Sequence, residues 1–168
     1  MLDNIVAHCR QVCRISLLLA GHWSFSDQRR ELIRAAALLH DITKTRSFKT
    51  GENHAESGAR LLAELGFPEV AGIVGQHVRL NRYPSGDSAP TEAEIVNYAD
   101  KRVLHDRIVP LDERMGYILE RYGFDEEHRQ NILCLWDRTR RLERRLFAGL
   151  PMTPDDLSRL APGSSSGC

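Results

Sequence analysis

The stretch Ala35 to Lys44 reads AAALLHDITK, and the rest of the chain is organised around it. An alanine- and leucine-rich helix ends here by setting a histidine and an aspartate side by side. Leu32, Ala35, Ala36 and Leu39 fall on one apolar stripe at helical spacing, and His40 continues it. Asp41 comes about 100° further round, close enough for both side chains to reach one point. A carboxylate at the edge of a core needs a partner, because an unpaired buried charge is heavily penalised. Taken alone, the dipeptide fits an ordinary helix end, with Asp41 capping the next segment and His40 bonded locally. The flanking sequence tips the balance.

On the N-terminal side, Leu2 to Ala20 is expected to be a helix with Ile5, His8, Val12, Ile15 and Leu19 on its buried line. His8 lies on that line, away from the wet face of Arg10 and Arg14. A break at Gly21 to Phe25 precedes Ser26 or Asp27 as N-cap of the second helix. On the C-terminal side, Thr43 to Gly51 is polar and basic and reads as a loop. Glu52 or Asn53 opens a third helix through Leu65, with His54, Gly58, Leu61, Leu62 and Leu65 on one face. Gly66 and Pro68 punctuate the passage to a fourth, which buries Val70, Ile73, Val74 and His77.

Arg79 to Pro90 reads as an exposed loop with Pro84 and Gly86. Thr91 with Glu94 has the form of a capping box for a fifth helix, whose inner line is Val96, Asp100 and Val103. Pro110 starts a sixth helix to about Tyr122, and Asp125 caps a long seventh to about Ala148. A short helix from Pro151 to Leu160 is expected to be the last, and the tail 162–168 to be disordered. No strand and no internal repeat stands out. The expected fold is all-α: one domain over residues 1–161, a bundle of about seven to eight helices.

The 168 residues carry 23 basic and 23 acidic side chains, so no overall basic field points to nucleic-acid polymers or membrane surfaces. No apolar run is long enough to span a bilayer and no signal-peptide pattern opens the chain, which makes a cytoplasmic location the expectation. Cys9 and Cys13 stand one helical turn apart, with only Cys134 and Cys168 elsewhere. No second close pair completes a zinc site, so they read as small core residues or free thiols.

Five predicted helices each place an ionisable residue in line with their apolar stripe: His8, His40 with Asp41, His54, His77 and Asp100. One histidine on such a face is most often a satisfied core residue. Six groups from five helices are hard to satisfy by mutual hydrogen bonds. A cation resolves the conflict, since it pairs the carboxylates and takes neutral imidazoles as ligands. Oxygen and nitrogen donors without thiolate suit manganese, iron, zinc, nickel or cobalt better than calcium. Six donors exceed what one catalytic metal needs if it is to keep open positions, and two metals bridged by a carboxylate fit the count.

This ordered set resembles the HD-domain metal-dependent phosphohydrolase superfamily, whose core is H…HD…D on a helical bundle. Here those residues are His8, His40-Asp41 and Asp100; His54 and His77 stand where the dinuclear branch adds two histidines. The segments HDITK, HAESGARLL, IVGQH and NYADKR read as family-like, over roughly Leu2 to Arg107. The layout is nearest to that of bacterial diadenosine-tetraphosphate hydrolases with an HD fold. Two departures stand out: Thr43 replaces the glycine of HDIGK, and His77 is followed by Val78 where many relatives have a second histidine. The GYP signature of the cyclic-di-GMP branch is absent.

The resemblance implies that His8, His40, Asp41 and Asp100 hold a first metal, with Asp41 bridging to a second completed by His54 and His77. It also implies that Lys44, in HDxxK, faces the phosphate. The implied reaction is hydrolysis of a phosphoester or phosphoanhydride in a small nucleotide-like substrate, with Asp41 and Lys44 at the chemistry. A homodimer is left open. A mononuclear 5'-nucleotidase and a non-catalytic nucleotide- or metal-binding sensor are the alternatives. His22, His105 and His128 read as surface residues, and Glu56 as a first-turn acid favoured by the helix dipole. Among Arg46, Lys49, Arg79, Arg82, Lys101 and Arg102, no more than two are expected to meet phosphate.

Overall fold

The computed structural model describes residues 1–83 and 88–159. Its elements run α1 (Asp3–His22), α2 (Asp27–Leu39), α3 (Lys44–Thr50), α4 (His54–Glu64), α5 (Pro68–Val74), α6 (Glu92–Lys101), β1 (Val103–Leu104), β2 (Arg107–Ile108), α7 (Leu111–Tyr122), α8 (Glu126–Phe147) and a closing 3-10 helix at Pro154–Arg159. The fold is all-α apart from the two-residue strands. The expected disordered tail and the Pro84–Gly86 part of the expected loop lie outside the described residues, as does Cys168.

Apolar stripes build the core. Val12, Ile15 and Leu19 of α1, Ile33 and Ala36 of α2, Val74 of α5, and Ile95, Val96 and Ala99 of α6 are all fully buried. Helix α1 packs along α2 and α6, and α2 also along α5 and α6, so the four surround one seam. Small residues let them approach: Ala36 and Ala37 of α2 and Ala99 of α6 have no exposed surface. Burying a larger aliphatic side chain there contributes about 1.5–3 kcal/mol each. Helix α8 adds only Thr139, Leu142 and Leu146 to the buried set.

Local signals set the helix starts. Ser26 accepts from the Arg29 amide at 3.4 Å, and Asn53 from Ala55 at 3.0 Å. The Thr91–Glu94 capping box is complete, with bonds of 2.9 and 3.3 Å. Three expectations need correction. The segment from Thr43 to Gly51 is mostly helix α3, which buries no side chain and so offers no apolar stripe to read. It is closed by Gly51 in the left-handed region at φ 71°, whose amide bonds the Ser47 carbonyl. Helix α5 stops at Val74, so His77 lies in the turn beyond it. Val103 belongs to a hairpin, not to α6, with register Val103↔Ile108 and Leu104↔Arg107. Two-residue strands are too short to display alternation.

Candidate metal centre

The six sequence-selected residues converge at one end of the seam between α1, α2, α5 and α6. His40 and Asp41 sit just past α2, in a tight turn closed by Ile42 N to Leu39 O at 3.0 Å and Lys44 N to Asp41 O at 2.9 Å. His8 comes from mid-α1, His54 opens α4, and Asp100 lies in the last turn of α6. His8 Nε2 is 3.0 Å from Asp100 Oδ1, and His40 Nε2 is 3.6 Å from the same oxygen and 3.7 Å from Asp41 Oδ2. On the other side, Asp41 Oδ1 is 3.2 Å from His54 Nε2 and 3.6 Å from His77 Nε2, while the two Nε2 atoms are 3.0 Å apart. Donors of His8, His40 and Asp41 form one group within 4.8 Å, and those of Asp41, His54 and His77 form another.

Hydrogen bonds at the far side of each ring fix which nitrogen points inward. A carbonyl oxygen only accepts, so a ring nitrogen bonded to it carries the proton. His8 Nδ1 donates to the His105 carbonyl at 3.0 Å, His40 Nδ1 to Ala37 at 2.8 Å, and His77 Nδ1 to Val74 at 2.7 Å. A ring held this way, when neutral, aims a bare Nε2 lone pair at the carboxylates. Three lone pairs facing two carboxylates repel unless a proton or a cation stands between them. His40 Nε2 is buried with no hydrogen-bond partner. An outer N–H on a backbone carbonyl with the inner nitrogen free is the habit of metal-ligating histidines. The donor set therefore fits divalent transition metal.

Charge is distributed accordingly. Burial opposes ionisation of Asp41 and Asp100, yet the imidazoles around them hold both carboxyls well below the usual range. Burial alone would lower His40, but the neighbouring Asp100 and Cys9 side chains and the field of both carboxylates raise it well above its ordinary value. His77, pushed down by burial and by the charge on His40, falls to about 3.

The opening lies on the His54 side. His54 and Lys44 are 20% and 30% exposed, against 0% for His40 and 5% for Asp41. Lys44 Nζ lies 3.3 Å from both Asp41 Oδ1 and His54 Nε2. No continuous helix through Thr43 carries Lys44 to the site; the tight turn brings it there. Thr43 holds φ −98°, which needs no glycine, and its hydroxyl donates to the His54 carbonyl at 2.8 Å while accepting from Ser57 at 2.9 Å. The substitution in HDITK thus ties the HD turn to the start of α4.

Several residues that support the centre carry no signal in the sequence. Asn97 Nδ2 and Lys101 Nζ each donate to the His77 carbonyl at 3.0 Å, holding the turn that carries His77. Lys101 is buried and its ammonium is pushed down to about 8 by that burial. Arg102 is also buried, donating to Val109 O, Tyr98 Oη, Glu143 and Pro154 O. Neither is free to meet phosphate. Arg46 is paired with Glu52, whereas Arg79 and Arg82 are exposed. His22, His105 and His128 are exposed, Cys9 and Cys13 are buried and form no disulfide, and Cys134 is exposed. Among the described residues no helix is long and apolar enough to cross a membrane.

An uncharacterised protein of Methanocaldococcus jannaschii is 30% identical over 154 residues, covering 83% of this chain and 90% of that protein. The tRNA (cytidine(56)-2'-O)-methyltransferase of Picrophilus torridus is 30% identical over 125 residues, or 67% of this chain. The chain spans about a third of that enzyme, 35% of its length. No solved structure gives a significant match. The model of the HD domain matches residues 5–103, a span that contains all six converging side chains. The chain belongs to the HD-domain family, whose members are generally metal-dependent phosphohydrolases.

Proposed function

We propose that the protein hydrolyses a phosphoester or phosphoanhydride bond of a small nucleotide-like substrate. The observation that carries this reading is the placement of Asp41 between two donor groups, one toward His8 and His40 and one toward His54 and His77. One or two divalent transition ions held there would supply an activated water and a Lewis acid for phosphate oxygens. His8, His40, Asp41 and Asp100 are the proposed donors on the closed side; His54 and His77 complete the open side. The carboxylates of Asp41 and Asp100 match the positive charge of the ions, and the carbonyls of His105, Ala37 and Val74 fix the ring orientations.

Lys44 is the proposed phosphate-binding residue. It is no ligand for a cation, but its ammonium stands at the rim where a phosphate oxygen gains charge in the transition state. Phe48 comes one helical turn later on α3 and is 66% exposed. An exposed ring beside a phosphate-binding lysine supports a substrate that carries a base, since nucleobases stack on aromatic side chains.

A second reading comes from the tRNA methyltransferase similarity: the phosphate could belong to a tRNA end instead of a free nucleotide. One experiment separates the two. Purified protein is analysed for bound metal, then assayed for phosphate release on a panel of mono- and dinucleotides and on tRNA with terminal phosphates. Release from small nucleotides that disappears in Asp41→Asn supports the first reading; release confined to tRNA supports the second. Bound metal with no release from any member favours a sensor.

A further inference from the structure

His40 and His77 find acceptors for their Nδ1 protons within their own segments, because each lies just past a helix end where a carbonyl three residues back is available. His8 has no such option. It sits in the interior of α1, where the preceding carbonyls serve the helix's own ladder. Its acceptor is instead the His105 carbonyl, 97 residues away, at 3.0 Å. That carbonyl belongs to the two-residue connection between Leu104 and Arg107, the inner pair of the β1–β2 hairpin. His105 holds φ 58° there, in the left-handed region that side-chain-bearing residues rarely adopt. The hairpin is anchored from behind, since the Val109 amide bonds the Arg102 carbonyl at 2.8 Å and Val103 is fully buried. The His105 ring is exposed and meets the edge of Tyr117, at 5.4 Å between centroids.

We infer that His105 is a positioning residue for the metal centre, acting through its backbone: the left-handed turn aims its carbonyl at His8 Nδ1 and so presents His8 Nε2 to the metal. This rests on the metal-binding reading above, and it adds a hairpin loop to what builds that site. The ring is dispensable; the backbone conformation is not. Glycine and asparagine hold a left-handed φ readily, whereas a β-branched residue does not.

The test compares His105→Gly, His105→Asn and His105→Val by competition for manganese or zinc against a chromogenic chelator, with no need for turnover. His105→Val is expected to weaken metal binding about 10-fold or more, as loss of an outer hydrogen bond to a ligand does, and His105→Gly and His105→Asn to stay close to wild type. In a His8→Ala background, His105→Val should cause no further loss, a result a general destabilisation would not give. Wild-type affinity in His105→Val overturns the inference. So does an equal loss in His105→Gly, which would assign the effect to the ring. If His105→Val does not fold, nitrogen-15 spectra of the wild-type imidazoles decide. A proton on His8 Nδ1 supports the inference, and a proton on Nε2 alone overturns it. Should the wild type bind no metal, the metal reading fails first, while the spectra still report on the His8–His105 bond.

Discussion

Asp41 Oδ1 lies 3.2 Å from His54 Nε2, although Asp41 sits in the turn after α2 and His54 begins α4. Its Oδ2 faces His40 instead, at 3.7 Å, so one carboxylate serves both sides of the cluster. Asp41→Asn keeps the size of the side chain and removes its charge. Elemental analysis of that variant should show metal content falling sharply, together with phosphate release. Full occupancy and full turnover in Asp41→Asn would mean that the centre lies elsewhere.

Nuclearity is decided on the open side. His54→Ala should lower the metal-to-protein ratio from two toward one while leaving the closed-side ion, held by His8, His40 and Asp100, in place. Two ions sharing a carboxylate stand about 3.5–4 Å apart, a spacing that magnetic coupling in a manganese-loaded sample reports. A ratio of one in the wild type, unchanged in His54→Ala, selects the mononuclear nucleotidase reading.

Lys44 separates catalysis from assembly. Its ammonium is at the rim, 3.3 Å from Asp41 Oδ1. In Lys44→Ala the melting temperature and metal content should stay near wild type, while turnover falls by about 10²-fold or more, as for loss of a transition-state donor. If Lys44 serves only the first turn of α3, the kinetics on a verified substrate will not change.

Metal binding should release protons. The two carboxylates raise the central His40 imidazole well above its ordinary value, so an incoming ion is expected to displace its proton. Affinity should therefore fall as pH falls, with protons competing for the inward Nε2. Calorimetry near neutral pH in buffers of different ionisation enthalpy counts the protons released. A heat of binding that does not vary with the buffer would count against a protonated His40.

Arg102 tests the opposite role. Its guanidinium is buried and joins the hairpin, α6, α8 and the closing 3-10 helix through Val109, Tyr98, Glu143 and Pro154. Arg102→Ala should cost about 3–5 kcal/mol in unfolding free energy, since it strands buried partners. Metal affinity per folded molecule should not change. A variant of wild-type stability with a raised KM would instead return Arg102 to the substrate side.

The helices that build the core, and the identity of the converging side chains, are legible in the order of residues alone. Amphipathic stripes fix which face of α1, α2, α4 and α6 turns inward, and His8, His40, His54 and Asp100 lie on or beside those stripes. An ionisable group on an apolar face is a local signal, readable without any partner. Features that depend on contacts between distant segments emerge only when the chain is folded. Helix α3 buries nothing and carries no stripe, so only the anchoring of Thr43 to α4 and the Gly51 turn show it as a helix. Lys101 and Arg102 look like any basic pair beside a site; their burial appears only once His77, Val109 and Pro154 are packed around them. The His8–His105 bond joins residues 97 apart through a backbone carbonyl, an acceptor every residue has, so no side-chain pattern could announce it.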